Sequence, residues 1–114
     1  MTKQDEAELL ESMYERHDYR CFLCHKTATQ RAHIIGNTKM NRIIYKKVVD
    51  NPLNWLPACS LYCNAKIDVG YNDELKERIS LVIESEDMDE TEKREAIEAI
   101  VKENIQRKEA KLDS

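Results

Sequence analysis

The sequence predicts a small α+β domain: a cysteine-bearing β region in the middle of the chain, one helix before it and helices after it. Three observations lead there. Apolar residues recur at helical spacing near both ends of the chain. Between Tyr19 and Ala58 that spacing gives way to short aromatic and apolar runs bounded by turn residues. The four cysteines fall in that middle region, as two close pairs. A chain of 114 residues fits one domain, 1–114. Within it, 19–70 reads as a stapled core and 72–114 as a helical extension. The large apolar groups are few, with one Trp, five Tyr and one Phe, so something besides burial is expected to hold the fold. Two Gly and two Pro exclude collagen-like and Pro/Gly-rich disordered compositions.

Thr2 with Asp5 has the pattern of a helix N-cap, and Ala7, Leu10, Met13 and Tyr14 continue it to about Arg16. Tyr19-Arg20-Cys21-Phe22-Leu23-Cys24 reads as a strand entering a metal knuckle, and Ala28 to Ile35 as a second extended stretch. Gly36-Asn37-Thr38 signals a turn. Met40 to Val49 places Ile43, Ile44, Lys47 and Val48 at the spacing of a short helix, which Asp50-Asn51-Pro52 ends. Leu53 to Leu56 is a short apolar strand with Pro57 at its end. Ser60 to Ile67 reads as a helix stopped at Gly70. Asn72 or Asp73 caps a helix bearing Leu75, Ile79, Val82 and Ile83. Asp89 with Glu92 forms a capping box. That box opens a long amphipathic helix with Ile97, Ile100, Val101, Ile105 and Leu112 on one stripe, which either packs on the domain or forms a homodimer seam.

No apolar run approaches the ~20 residues of a membrane-spanning helix, and the polar, acidic start lacks the features of a signal peptide. A cytoplasmic protein with no membrane partner is therefore expected. In that reducing compartment, four cysteines point to a metal rather than to disulfides. Cys21-x2-Cys24 and Cys59-x3-Cys63 each place two thiolates on one turn, the arrangement that supplies half of a tetrahedral Zn²⁺ site. A structural zinc joining the two halves would turn metal binding into folding free energy. His25, directly after Cys24, is a possible substitute ligand.

Charge is unevenly distributed. The net charge is −4, yet residues 16–49 carry eight bases against one acid, while residues 73–114 carry eight bases against fourteen acids. A local basic block suits a polyanion even in an acidic chain, because salt screens charges beyond about 8–10 Å. Arg31, Lys39, Arg42, Lys46, Lys47 and Lys66 are the candidate phosphate contacts. Trp55, within an apolar run, reads as a core residue.

The run Arg31-Ala32-His33-Ile34-Ile35, then Asn54-Trp55-Leu56-Pro57-Ala58-Cys59, then Cys63-Asn64-Ala65-Lys66-Ile67-Asp68, resembles the HNH endonucleases, a group of ββα-metal nucleases. The likeness spans Cys21 to Asp68. It implies a metal-dependent endonuclease, acting on DNA, that hydrolyses phosphodiester bonds. His33 would be the general base, and Asn54 the residue steadying the loop between the strands. The family's last His is replaced here by Asn64, and the acid that often precedes the first His is replaced by Ala32. Both positions commonly help hold the catalytic Mg²⁺ or Mn²⁺. Spacing offers an alternative: on a helix spanning 60–68, the Asn64 carbonyl and the Asp68 carboxylate share one face and could hold that ion. A zinc-stapled module of this fold that binds nucleic acid or a protein without cutting is the competing expectation.

Overall fold

The computed structural model describes residues 2–112. Helix α1 runs Lys3–Arg16, opened by Thr2 and Asp5 in a reciprocal capping box. Met13 is its one fully buried residue, while Ala7 is exposed. Asp18 and Tyr19 then take left-handed backbone, reversing the chain into the first cysteine pair.

Strand β1 (Gln30–His33) pairs antiparallel with β2 (Trp55–Ala58) in a two-stranded sheet. The expected strand at 19–24 is reduced to one bridge, Arg20 to Thr27. Cys21 to Cys24 forms a turn instead, because the backbone there curls around the thiols: His25 N–H donates to the Cys21 carbonyl and Cys21 N–H to the Lys26 carbonyl. Pro57 lies inside β2 rather than after it; its missing N–H costs no bond, and its carbonyl accepts from Phe22.

The segment from Met40 to Val49 is not one helix. It forms α2 (Lys39–Ile44), capped by Thr38, and α3 (Lys46–Val49), with the break at Tyr45. Ile43 and Ile44 face solvent; Val48 and Val49 are the buried pair. Pro52–Asn54 forms a single 3₁₀ turn leading into β2. Helix α4 (Leu61–Ile67), capped by Ser60, packs on both strands, completing a hairpin-plus-helix unit.

Helix α5 (Asp73–Glu84) is capped by Asn72, and α6 (Glu90–Leu112) by the expected pairing of Asp89 with Glu92. Leu75, Ile79 and Ile83 on α5 meet Ile97, Ile100, Val101 and Ile105 on α6 in the same core as Ala32, Ile34, Leu56 and Ile67. The α6 stripe is thus occupied by the chain's own core and is not exposed for a dimer seam; the Leu112 side chain lies outside the described residues. Two α6 lysines finish shorter helices: Lys108 Nζ donates to the Asp68 carbonyl at 3.0 Å, and Lys93 Nζ to the Ile83 carbonyl at 2.8 Å. Among the described residues, no helix is long and apolar enough to cross a membrane.

Candidate metal centre and hairpin site

The two cysteine pairs, far apart in sequence, converge. The sulfurs of Cys21, Cys24, Cys59 and Cys63 all lie within 4.8 Å of one another, with Cys24 to Cys59 at 3.2 Å and Cys59 to Cys63 at 3.6 Å. A tetrahedron with metal–sulfur bonds of ~2.3 Å requires sulfur separations of about 3.8 Å, so the donor set fits a Zn²⁺-like ion. Local sequence produces this geometry. His25 holds φ of 62°, turning the chain back just after Cys24, while Ser60 caps α4 and aims Cys63 from its first turn. Burial works to raise the Cys21 thiol, but backbone N–H groups of Cys24, Leu23 and Cys59 outweigh it and bring it down to about 7. Burial, then the hydrogen bond with Cys59, pushes the Cys63 thiol up. A bound cation offsets that cost by stabilising the thiolate. His25 does not belong to the cluster.

His33 closes β1 opposite Trp55, its ring edge-to-face with the indole at 6.4 Å between centroids. Burial depresses its pKa, helped by Arg31, while Asp50 works in the other direction. The imidazole is therefore neutral at pH 7. Just beyond it, Asn54 is fully buried. Its Oδ1 accepts from Ile35 N–H at 2.8 Å, and its Nδ2 donates to the carbonyls of Ile35 at 3.0 Å and Val49 at 3.2 Å. Asn54 thus clamps the turn after His33 against the end of α3. It is a positioning residue rather than one presented to a ligand.

Asn64 and Asp68 each have hydrogen-bond partners of their own. Helix α4 ends at Ile67, so Asp68 is its extended C-cap. The Asp68 carboxylate accepts from Gly70 N–H at 2.7 Å and lies against Gly36, where a Cβ would come within 2.9 Å of it. The Asn64 amide donates to Gln30 Oε1 at 2.8 Å. Strand alternation then separates Asn64 from His33. Gln30 and Ala32 occupy the face toward α4, whereas Arg31 and His33 occupy the other. Ala32 is fully buried. Outside the cysteine cluster, no three His, Cys, Asp or Glu side chains converge among the described residues. Nothing in this geometry, among the described residues, supports a site for Mg²⁺ or Mn²⁺.

The candidate phosphate contacts divide into two groups. Arg31 is paired with Glu6 at 2.8 Å and stacked over Trp55 at 4.6 Å. Arg42 makes a two-pronged pair with Asp50, 3.0 Å at each prong, and bonds Asn37 as well. Lys66 lies over Tyr62 and 3.5 Å from Glu109. Lys39, Lys46 and Lys47 are exposed and enter none of the ion pairs found among the described residues. Sequence reasoning missed the partners Glu6, Gln30 and Asp50, since nothing local marks contacts across 25, 34 or even 8 residues. Trp55 is buried, as its apolar context suggested.

No family model, curated protein or solved structure matches the chain.

Proposed function

We propose that the chain acts on nucleic acid as an HNH-type phosphodiester hydrolase, with DNA as substrate and a zinc-stapled hairpin-plus-helix unit as its working part. The observation that carries this reading is the setting of His33. A half-buried, neutral imidazole ends a strand whose following turn is locked by a buried asparagine, and the strand itself is tied to α4 beside a four-thiol cluster. Such a base can take the proton of a water attacking phosphorus in line as the 3′ oxygen departs. Lys39, Lys46 and Lys47 supply unpaired positive charge for the polyanion.

A second reading has its own observation. Ala32 is buried, the Asn64 amide is engaged by Gln30, and among the described residues no cluster of three His, Cys, Asp or Glu side chains other than the cysteines is found. That favours a module that binds nucleic acid without cutting it. Nicking of supercoiled plasmid separates the two. Zinc-loaded protein is assayed with Mg²⁺, Mn²⁺, Ca²⁺ and no added ion, beside His33→Ala with its fold checked by circular dichroism. Nicking by the wild type that disappears in His33→Ala supports hydrolysis. A wild type that retains duplex DNA yet cuts nothing under any condition establishes the second reading.

A further inference from the structure

Helix α2 is inverted relative to an ordinary surface helix. Its buried side chain is polar: Asn41, 4% exposed, donates to the Gly36 carbonyl at 2.9 Å and accepts from the buried Lys76 ammonium of α5 at 3.0 Å. Its outward stripe is apolar. Met40, Ile43 and Ile44, spaced i, i+3, i+4, are 63%, 69% and 59% exposed. Three large apolar side chains held in water on one short helix mark a contact surface rather than a packing accident. The polar anchoring of Asn41 and Lys76 fixes the helix without using its apolar side.

Charge identifies the occupant. Lys39 precedes the stripe and Lys46 and Lys47 follow it, and none of the three enters an ion pair found among the described residues. Position agrees: α2 lies in the connection directly after His33, and its Arg42 joins Asp50, both of which act electrostatically on that imidazole. We infer that α2 is a wedge for duplex DNA, with Ile43, Ile44 and Met40 entering between base steps from the minor groove and the three lysines seated on flanking phosphates. The inference rests on the proposed action on nucleic acid and names how the duplex is held. Apolar wedges of this kind kink a duplex by roughly 20–90°, and a few side chains suffice. A protein partner would need about 800 Å² on each side, far more than three side chains offer. A membrane-surface helix needs a longer apolar face than the six residues of α2.

The test uses full-length zinc-loaded protein, a duplex of about 25 base pairs with a dye at each end, and no added Mg²⁺ or Mn²⁺. Energy transfer between the ends reports bending, and anisotropy reports binding. The wild type is expected to raise energy transfer at saturation. The variant Met40→Ala/Ile43→Ala/Ile44→Ala, altered only at exposed positions, is expected to bind about tenfold more weakly, with the same salt dependence and no rise in energy transfer. A variant that bends DNA as the wild type does overturns the wedge. So does a variant that binds and bends normally but loses self-association in ultracentrifugation, or loses binding to phosphatidylserine-containing vesicles. A wild type that nicks plasmid without bending the duplex overturns the wedge alone. A wild type that fails to bind duplex DNA overturns both the wedge and the functional reading. Bending without nicking supports the wedge and favours the non-cutting module.

Discussion

Replacing Asn54 by alanine is expected to cost more stability than any other single polar substitution in the hairpin. The side chain is fully buried and satisfies three backbone groups: Ile35 N–H, Ile35 C=O and Val49 C=O. Truncation leaves those groups buried with no solvent to replace the bonds. An orphaned buried group costs about 1–3 kcal/mol, the donor more than carbonyls that retain a second lone pair. The sum is about 3–5 kcal/mol, a large part of the roughly 5–15 kcal/mol expected of a domain this size. Urea unfolding at fixed free zinc should therefore show a midpoint lowered by about 2–3 M, with the slope unchanged. Asn54→Asp keeps the volume but turns a carboxylate toward two carbonyls, and should be no better than alanine. Asn64→Ala breaks one side-chain bond to Gln30 on a half-buried residue and should cost about 1 kcal/mol or less. If Asn54→Ala loses no more stability than Asn64→Ala, the clamp argument fails.

Other expectations follow from the same geometry. Zinc removal by a strong chelator should unfold the 19–70 region, because four-thiolate binding is worth about 10–16 kcal/mol and no disulfide joins the pairs; cooperative loss of near-ultraviolet dichroism at one metal per chain checks it, and a native spectrum in metal-free protein refutes it. His33 has a depressed folded-state pKa, so below the ordinary value near 6.5 the unfolded chain binds a proton that the folded chain resists. Its contribution is fully present above that value and declines as pH falls toward the folded pKa. His33→Gln should accordingly flatten the fall in stability between pH 7 and 5, and an unchanged slope counts against burial of the imidazole. Lys46→Ala/Lys47→Ala should reduce the slope of log K against log salt for duplex DNA by about 1.8 if both contact phosphate, whereas an identical slope removes them from the interface.

Much of the fold was legible because its signals are local. Thr2 and Asp89 cap the helices their positions announced, and Asn72 proves to be the cap of the two candidates there, since a cap needs only the three residues that follow it. The cysteine pairs were legible for a similar reason: two thiolates separated by two or three residues can reach one ion without help from the rest of the chain. Asn54 could be named from a sequence pattern, but whether its amide clamps a turn or faces a ligand depends on Ile35 and Val49. The Asn64–Asp68 pairing followed from helical spacing, whereas the partners those side chains take in the structure, Gln30 and Gly70, could not be read from that spacing.

What the amino-acid order determined alone, then, was the set of capped helices, the two half-sites for a metal and the concentration of positive charge between residues 16 and 49. What only the tertiary structure decided was which of those charges remain free and which face each side chain takes. Glu6 and Asp50 pair with Arg31 and Arg42, Glu109 pairs with Lys66 outside that block, and the pairing of β1 with β2 sets His33 on the face opposite Gln30, the partner of Asn64. Helical and turn preferences act over three or four residues. Charge pairing and strand facing depend on groups brought together only after the chain has closed on itself.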